Sequence, residues 1–348
     1  MARTKEAGLR KNSSTIIVIF LLTGLLVAVF GCSIKYRYGL YSGLLMGEKT
    51  AISRIGPTLA EQLGYSKESI LLIVHADDIG MHVDQTDGTF NAMKLGMVKS
   101  GSVMVPCPDF DRVVEIWKKN PNLDLGIHLT LNSDWGVKYG WGAILPKTQV
   151  PSLYNAEGIL WRTPRELQTH MRVDEAILEL EAQIIKVLDA GLKPTHIDAH
   201  YGNYYDSAEL AKRVMKLSRR YNLPMKPHRL HREKMRRLGF VFPDSMWMFF
   251  KLYGEKHNPD IRKKVYDNWL KELQPGVHEV VIHPSYMSNE WSEIIGDFNS
   301  YLRLGDYQYW SDPETKALAE RLGIIFIGYR ELQLLQANKM GIKTGIEP

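Results

Sequence analysis

The feature that most constrains this fold is an alternation of strand-like and helix-like segments that begins at Ile70. Short apolar, β-branched runs predict strands at 71–74, 102–105, 123–131, 195–199, 277–282 and 324–327. Helical spacing and capping residues predict helices at 85–95, 110–119, 173–190, 207–221, 313–322 and 329–337. Because strands that alternate with helices favour a parallel sheet, we predict an α/β fold with one barrel-like domain.

The composition excludes several classes of protein. The chain has 348 residues, of which 45% are hydrophobic and 24% are charged, as in ordinary globular proteins. The formal net charge is only +5 and no nucleic-acid motif accompanies the basic residues, so we predict no nucleic-acid partner. Two cysteines, Cys32 and Cys107, cannot form a disulfide framework or a cysteine zinc site.

The N-terminal segment is predicted to direct the chain to a membrane. Four basic residues among the first eleven precede an uncharged apolar run at 15–31, which ends just before Cys32. The pattern is similar to a bacterial lipoprotein signal, in which the cysteine is lipidated, and a retained anchor helix is the alternative. Under the positive-inside rule, the rest of the chain lies outside the cytoplasm, tethered in the bacterial cell envelope.

The predicted domain organisation is simple. Residues 1–32 form the signal or anchor segment, and residues 33–66 form a spacer. Residues 67–340 form a single β/α domain with an irregular, basic and aromatic insert at about 223–274. The oligomeric state is not predicted.

Polar residues follow the predicted strands at the points where these strands end. Asp77 and Asp78 close the first strand, and adjacent buried carboxylates are costly unless a metal or a proton offsets their charge. His128 and His200 end two later strands. In a parallel barrel these strand ends lie on one face, which is where the active site is found.

One carboxylate and two imidazoles form a three-ligand set that leaves positions open for water and substrate. Such ligands suit zinc, cobalt, nickel, manganese or iron, and magnesium is also compatible. The second aspartate could then take the proton from the attacking water. The pattern therefore predicts a metal hydrolase.

Other polar residues at these strand ends have predicted supporting roles. His196, Asp198 and His200 share one face of a strand. Asp198 could orient a ligand histidine or form a salt bridge, and His196 is interpreted as structural. His283 ends another strand and could protonate a leaving group or stabilise an oxyanion.

Aromatic residues are frequent in the loops that follow the strands. Trp135, Tyr201 and Tyr204 are the candidate substrate-binding residues among them. Their rings could stack on the faces of a sugar, or they could simply pack the loops together.

Five segments together resemble the YdjC-like carbohydrate deacetylases of the ChbG/HpnK group. They are Ala76-Asp77-Asp78-Ile79-Gly80, 101–105, 126–131, 195–200 and His283-Pro284. The resemblance implies a distorted (β/α) barrel of the polysaccharide-deacetylase or glycoside-hydrolase type. It also implies one divalent cation and hydrolysis of an N-acetyl group from an amino-sugar glycan or glycolipid.

The resemblance also implies roles for individual residues. Asp77 corresponds to the general base, and His283 to an assisting acid. Asp78, His128 and His200 correspond to the ligands of the cation, for which we expect Mg or Zn, with Mn, Co or Ni as alternatives. Gly202 stands where the family often has a further histidine.

Three other functions remain open on the sequence alone. Two histidines and one carboxylate are also the ligand set of iron(II) oxygenases. A non-catalytic sugar-binding protein of the envelope would use the aromatic loops equally well. A glycoside hydrolase is disfavoured because Asp77 and Asp78 are adjacent, whereas its two acids flank the scissile bond from separate positions.

Overall fold

The computed structural model describes residues 56–205, 207–227, 232–249 and 258–342. Seven strands lie in these ranges: β1 Ile70–Ile79, β2 Val98–Val103, β3 Leu125–Leu129, β4 Ile197–Ala199, β5 Ser245–Trp247, β6 Gly276–Ile282 and β7 Ile324–Phe326. The helices in these ranges are α1 Leu59–Gln62, α2 Val83–Leu95, α3 Phe110–Lys119, α4 Pro164–His170, α5 Val173–Asp189, α6 Ala208–Arg220, α7 Arg232–Arg237, α8 Pro259–Glu272, α9 Asn289–Ser311, α10 Pro313–Arg321 and α11 Tyr329–Met340.

The strands form one parallel sheet in the order β4-β3-β2-β1-β6-β5. β7 pairs with residues 70–72 of β1, while β2 pairs with the later residues of the same strand. All but the first residue of β1 are buried, which is why its sequence is a nearly continuous apolar run. The parallel α/β half-barrel confirms the predicted fold class.

A β-bulge in β1 brings the two aspartates to the same side. Ala76 pairs with Gly101 and Ile79 with Val103, so β1 uses one residue more than β2 over this interval. Asp78 has a φ of 67°, in the left-handed region that aspartate tolerates better than most residues. Without the bulge, neighbouring side chains of a strand would point to opposite faces.

β2 begins earlier than the sequence predicts. Residues 102–105 are the predicted strand, whereas the observed strand is Val98–Val103. Ser100 and Ser102 are fully buried and contact the ring of His75, so the buried face of β2 is polar. Between the buried Val98 and Val103, the buried side chains of this strand are serines, so no continuous apolar run marks its start.

The region at about 223–274, predicted to be an insert, contributes to the barrel in its described part. Met225 forms a parallel bridge with Ile197 of β4. β5 pairs with β6, and α8 packs Tyr266 and Trp269 into the core beneath the sheet. The chain therefore continues around the barrel here, and the residue that follows Met225 reaches the interior.

α9 is a helix for which the sequence pattern gives no prediction. It is interrupted at Gly296, which has a φ of 77° and a ψ of 153°. Its second half carries Arg303 and Asp306, both buried. The break makes the helical periodicity discontinuous, which explains why the pattern does not predict it.

The predicted signal or anchor segment and most of the predicted spacer lie outside the described residues. Within the described ranges, no helix is both long enough and apolar enough to cross a membrane. The lipidation of Cys32 and the envelope location therefore stay predictions.

Candidate active site

A layer of polar side chains lies at the carboxyl ends of the strands. Alternate residues of a strand point to the same face, and in the first four strands one such set points to a shared interior. The residues are 75 and 77 of β1, 100 and 102 of β2, 126 and 128 of β3, and 196, 198 and 200 in and around β4. The side chains of Asp77, Asp78, His128, Asp198 and His200 are buried there. The predicted strand-end residues therefore do meet in space.

Asp78, His128 and His200 form a compact group of three potential metal ligands. One ligand atom from each lies within 4.8 Å of the others. Asp78 Oδ1 is 3.3 Å from His128 Nε2 and 3.4 Å from His200 Nδ1. One carboxylate oxygen and two imidazole nitrogens are ligands that a catalytic divalent ion accepts.

The bonding around this group fits a cation. The other ring nitrogen of each histidine donates to a carboxylate, His128 Nδ1 to Asp198 at 2.7 Å and His200 Nε2 to Asp134 at 3.2 Å. The nitrogens that face Asp78 are then the ones with free lone pairs. Asp78 Oδ1 is buried and has no hydrogen-bond partner among the described residues. With the two imidazoles neutral, Asp78 Oδ1 and the two nitrogens are three lone-pair donors directed at one point, an arrangement that a metal ion would complete.

The charge state of the group follows from its neighbours. Burial alone would raise the pKa of Asp78, but the Arg303 guanidinium, 2.8 Å away, and the two histidines hold it well below its usual range. Burial would lower the pKa of His200, but the carboxylates of Asp134 and Asp78 raise it to about 9, so a cation that binds here displaces a proton from this ring.

Asp77 lies next to the group, and its two oxygens face different neighbours. Oδ1 is 2.9 Å from His75 Nε2 and 3.6 Å from Lys226 Nζ. Oδ2 points the other way, 4.0 Å from His128 Nε2. Burial would raise the pKa of Asp77, but the nearby positive charges, chiefly that of Lys226, lower it. Asp77 Oδ2 is thus a carboxylate oxygen beside the candidate metal ligands, in a position that suits the predicted base.

Asp198 has the geometry predicted for a residue that orients a ligand histidine. Its Oδ1 accepts the hydrogen bond from His128, and its Oδ2 is 2.8 Å from Lys226 Nζ. Asp134 makes the corresponding contact with His200 and also accepts a hydrogen bond from the Tyr201 hydroxyl at 3.1 Å. Such carboxylates fix the ring orientation of metal-binding histidines.

His283 lies on the opposite side of Asp78, with Nε2 3.9 Å from Asp78 Oδ2. Its backbone N–H donates to Asp306 of α9, which also contacts Arg262 and Tyr266 of α8. Burial lowers the pKa of His283, with Asp78 opposing the shift. Two helices thus hold this residue at the edge of the site.

His196 is packed between neighbouring side chains, and its interpretation as a structural residue stays a prediction. Its ring stacks on Tyr329 with the centroids 4.0 Å apart, and its Nδ1 contacts the Thr195 hydroxyl. A Cβ atom at position 126 would lie only 2.5 Å from His196 Nε2, so the ring packs directly against Gly126 and leaves no room for a side chain there. Burial lowers the pKa of His196 well below its usual value.

The three predicted substrate-binding aromatics lie in different environments. Tyr201 is 41% exposed and its ring contacts that of His200. Trp135 is half-buried and donates from Nε1 to the sulfur of Met81. Tyr204 is only 1% exposed and belongs to the hydrophobic core, so its position does not support the predicted role in sugar binding.

Four residues at the site are absent from the sequence interpretation. They are Asp134, Lys226, Glu279 and Arg303. Lys226 follows a short apolar segment in the same way as His128 does, so the strand-end rule could have found it. Asp134 lies in a long loop and Arg303 lies inside a helix, where no local pattern marks a residue that reaches the site.

Comparisons with known proteins show which family the chain belongs to. Residues 71–321 match a family described as YdjC-like protein. A carbohydrate deacetylase of Enterococcus faecalis is 26% identical over 270 residues, which cover 76% of this chain and 98% of that protein. A chitooligosaccharide deacetylase of Yersinia enterocolitica is 29% identical over 262 residues, covering 73% and 95% respectively.

A solved structure has the same fold. The crystal structure of an Enterococcus faecalis protein with a proposed role in cellobiose-phosphate cleavage superimposes with a TM-score of 0.64 at 26% identity. The match covers 76% of this chain and 99% of that chain. The likeness thus spans the whole of that protein's fold.

Proposed function

The chain belongs to the YdjC-like protein family, and from that premise we propose that it is a metal-dependent hydrolase that removes an N-acetyl group from an amino-sugar glycan or glycolipid. The observation that carries the proposal is the convergence of Asp78, His128 and His200 beside the carboxylate of Asp77. Relatives named carbohydrate and chitooligosaccharide deacetylases support the same reaction class.

Asp78, His128 and His200 would hold the ion, which we expect to be Mg or Zn, with Mn, Co or Ni as alternatives. When bound, a divalent ion there would supply Lewis-acid polarisation of the acetamide carbonyl and would lower the pKa of water. Asp198 and Asp134 keep the two imidazoles in the tautomers that leave a lone pair facing Asp78.

Asp77 is the residue that takes the proton from the attacking water. Its Oδ1 is fixed by His75 and Lys226, and Oδ2 faces the ligand group. The water oxygen forms a bond to the carbonyl carbon, the C–N bond breaks, and acetate and a free amine result. His283 gives a proton to the leaving nitrogen, since its Nε2 lies 3.9 Å from Asp78 Oδ2, at the edge of the ligand group.

The test of this function is metal-dependent release of acetate by the full-length chain. The protein is stripped of metal, resupplied singly with zinc, magnesium, manganese, cobalt or nickel, and assayed on N-acetylglucosamine oligomers and an N-acetylated glycolipid. We expect acetate only after resupply, with equal amounts of new amine. A folded protein that binds no divalent ion would contradict the proposed reaction. Glycan binding that chelator does not affect would instead favour a sugar-binding protein.

The role of His283 has a separate prediction. Replacing it by Gln is expected to lower the rate of amide hydrolysis by about 10²-fold or more, because a positioned acid contributes this much. An activated ester such as 4-nitrophenyl acetate has a leaving group that needs no proton, so its hydrolysis should fall far less. Steady-state rates on both substrates provide the measurement. Equal losses on the amide and the ester would show that His283 does not protonate the leaving group.

A further inference from the structure

Lys226 lies beside the candidate metal group and is surrounded by acidic side chains. Its Nζ is 2.8 Å from Asp198 Oδ2, 3.2 Å from Glu279 Oε1 and 3.6 Å from Asp77 Oδ1. Lysine and all three carboxylates are buried. In the described part of the chain, Lys226 is the one lysine or arginine within ion-pair distance of these carboxylates. Burial opposes the charge, but the carboxylates raise the pKa of Lys226 above its usual range.

Two of these carboxylates each have one oxygen directed to the ligand group and one to Lys226. Asp198 contacts His128 with Oδ1 and Lys226 with Oδ2. Asp77 directs Oδ2 towards His128 and Oδ1 towards Lys226. In hydrolases with two metal ions, the ions are typically about 3.5–4 Å apart. Asp77, with an oxygen on each side, is suited to bridge such a pair, whereas Asp198 Oδ1 accepts from the His128 nitrogen that points away from Asp78.

Glu279 makes the arrangement more specific. It lies on β6, on the far side of Lys226 from the ligand group, and its Oε2 accepts a hydrogen bond from the Tyr329 hydroxyl at 3.0 Å. Its Oε1 is buried and has no hydrogen-bond partner among the described residues, apart from the ion pair with Lys226. Three oxygens therefore converge on one ammonium, and two of them also face His75 Nε2, which is 2.9 Å from Asp77 Oδ1 and 3.1 Å from Asp198 Oδ2. Hard divalent ions such as Mn²⁺ and Mg²⁺ prefer oxygen ligands.

We propose that the Lys226 ammonium takes the place of a second metal ion, and that Asp77, Asp198 and Glu279 form a latent divalent-cation site which opens when this charge is removed. The inference rests on the proposed metal-dependent function. The presence of Lys226 explains why a buried cluster with so many carboxylates would bind only one metal ion. The ammonium group of this lysine already fills the neighbouring position. The consequence for function is that Lys226 holds the carboxylate of Asp77 in place whether or not a metal ion is bound.

The test counts ions, with Mn²⁺ alone as the probe. The full-length wild-type chain, titrated with Mn²⁺, is expected to bind one ion per chain and to give the electron paramagnetic resonance spectrum of an isolated ion. Lys226→Ala is expected to bind two ions with a spin-coupled spectrum. Lys226→Arg keeps the charge and should bind one. The exposed Lys216→Ala is the matched control and should also bind one ion.

Further variants locate the second ion and cover the case of misfolding. Lys226→Ala combined with Glu279→Gln should return to one ion, because a ligand of the latent site is lost. If Lys226→Ala is unfolded without metal, excess Mn²⁺ should restore folding, because an ion that binds only the folded state stabilises it. A Lys226→Ala chain that binds one ion, or that stays unfolded in excess Mn²⁺, would overturn the inference, as would two coupled ions in the wild type.

These measurements are independent of the substrate. A wild-type chain that binds one ion but releases no acetate would contradict the proposed reaction and leave the inference about Lys226 standing. A wild-type chain that binds no ion would overturn both.

Discussion

Asp77→Asn is expected to reduce deacetylation by about 10²–10⁴-fold while the bound metal stays at the wild-type level. The substitution preserves the size of the side chain but removes the carboxylate that would accept the proton of water. The metal should remain because Asp78, His128 and His200 are unchanged, and Asp77 Oδ2 is 4.0 Å from His128 Nε2. The measurements are kcat for acetate release and the metal content of the same preparation.

Two controls make this result specific. Asp111→Asn, on the exposed surface of α3, applies the same chemical change away from the site and should leave both quantities unchanged. Thermal unfolding of Asp77→Asn shows whether the loss reflects misfolding. Normal turnover by Asp77→Asn would exclude Asp77 as the base.

His128→Ala is expected to lose the metal, with an affinity lower by more than about 100-fold. Changes to groups that merely support a ligand typically lower metal affinity by 10–100-fold, and removal of a ligand should exceed that. The measurement is the dissociation constant of Mn²⁺ or Zn²⁺, obtained by competition with a chelator. Full occupancy in this variant would remove His128 from the ligand set.

His196→Ala is the matched comparison for His128→Ala. Both histidines are buried near Asp198, but the ring of His196 lies between Tyr329 and Gly126 rather than facing Asp78. We expect His196→Ala to retain the metal and to lower the free energy of unfolding by about 1–3 kcal/mol through lost packing. If His196→Ala lost the metal as completely as His128→Ala does, the distinction between a structural and a ligand histidine would be wrong.

Local pattern was enough to predict the strands that hold the site and the residues at their ends. β3 and β6 are apolar runs of ordinary periodicity, so their positions followed from the sequence, and His128 and His283 with them. The family resemblance, now confirmed by a match over residues 71–321, supplied the expected roles. The structure brings Asp78, His128 and His200 together, and their individual roles stay predictions.

The pattern failed where the buried side of an element is polar or its periodicity is broken. β2 has serines on the buried face, and α9 is interrupted at Gly296. β5 (Ser245–Trp247) has no fully buried residue and begins with a serine, so no apolar run marks it. In each case the residues fit their surroundings in the folded protein rather than a regular hydrophobic repeat.

The sequence by itself determined the parallel α/β class and the edge of the sheet at which the chemistry lies, because both depend on the order of short apolar runs and on the residues that end them. Only the tertiary structure decided which residues surround Asp77 and Asp78. The bulge that turns both carboxylates inward depends on pairing between β1 and β2. Asp134 and Arg303 reach the site from a loop and a distant helix, and Lys226 reaches it from the residue after the isolated bridge at Met225. Contacts between residues so far apart along the chain leave no mark on local periodicity, since they form only when the barrel brings those segments together.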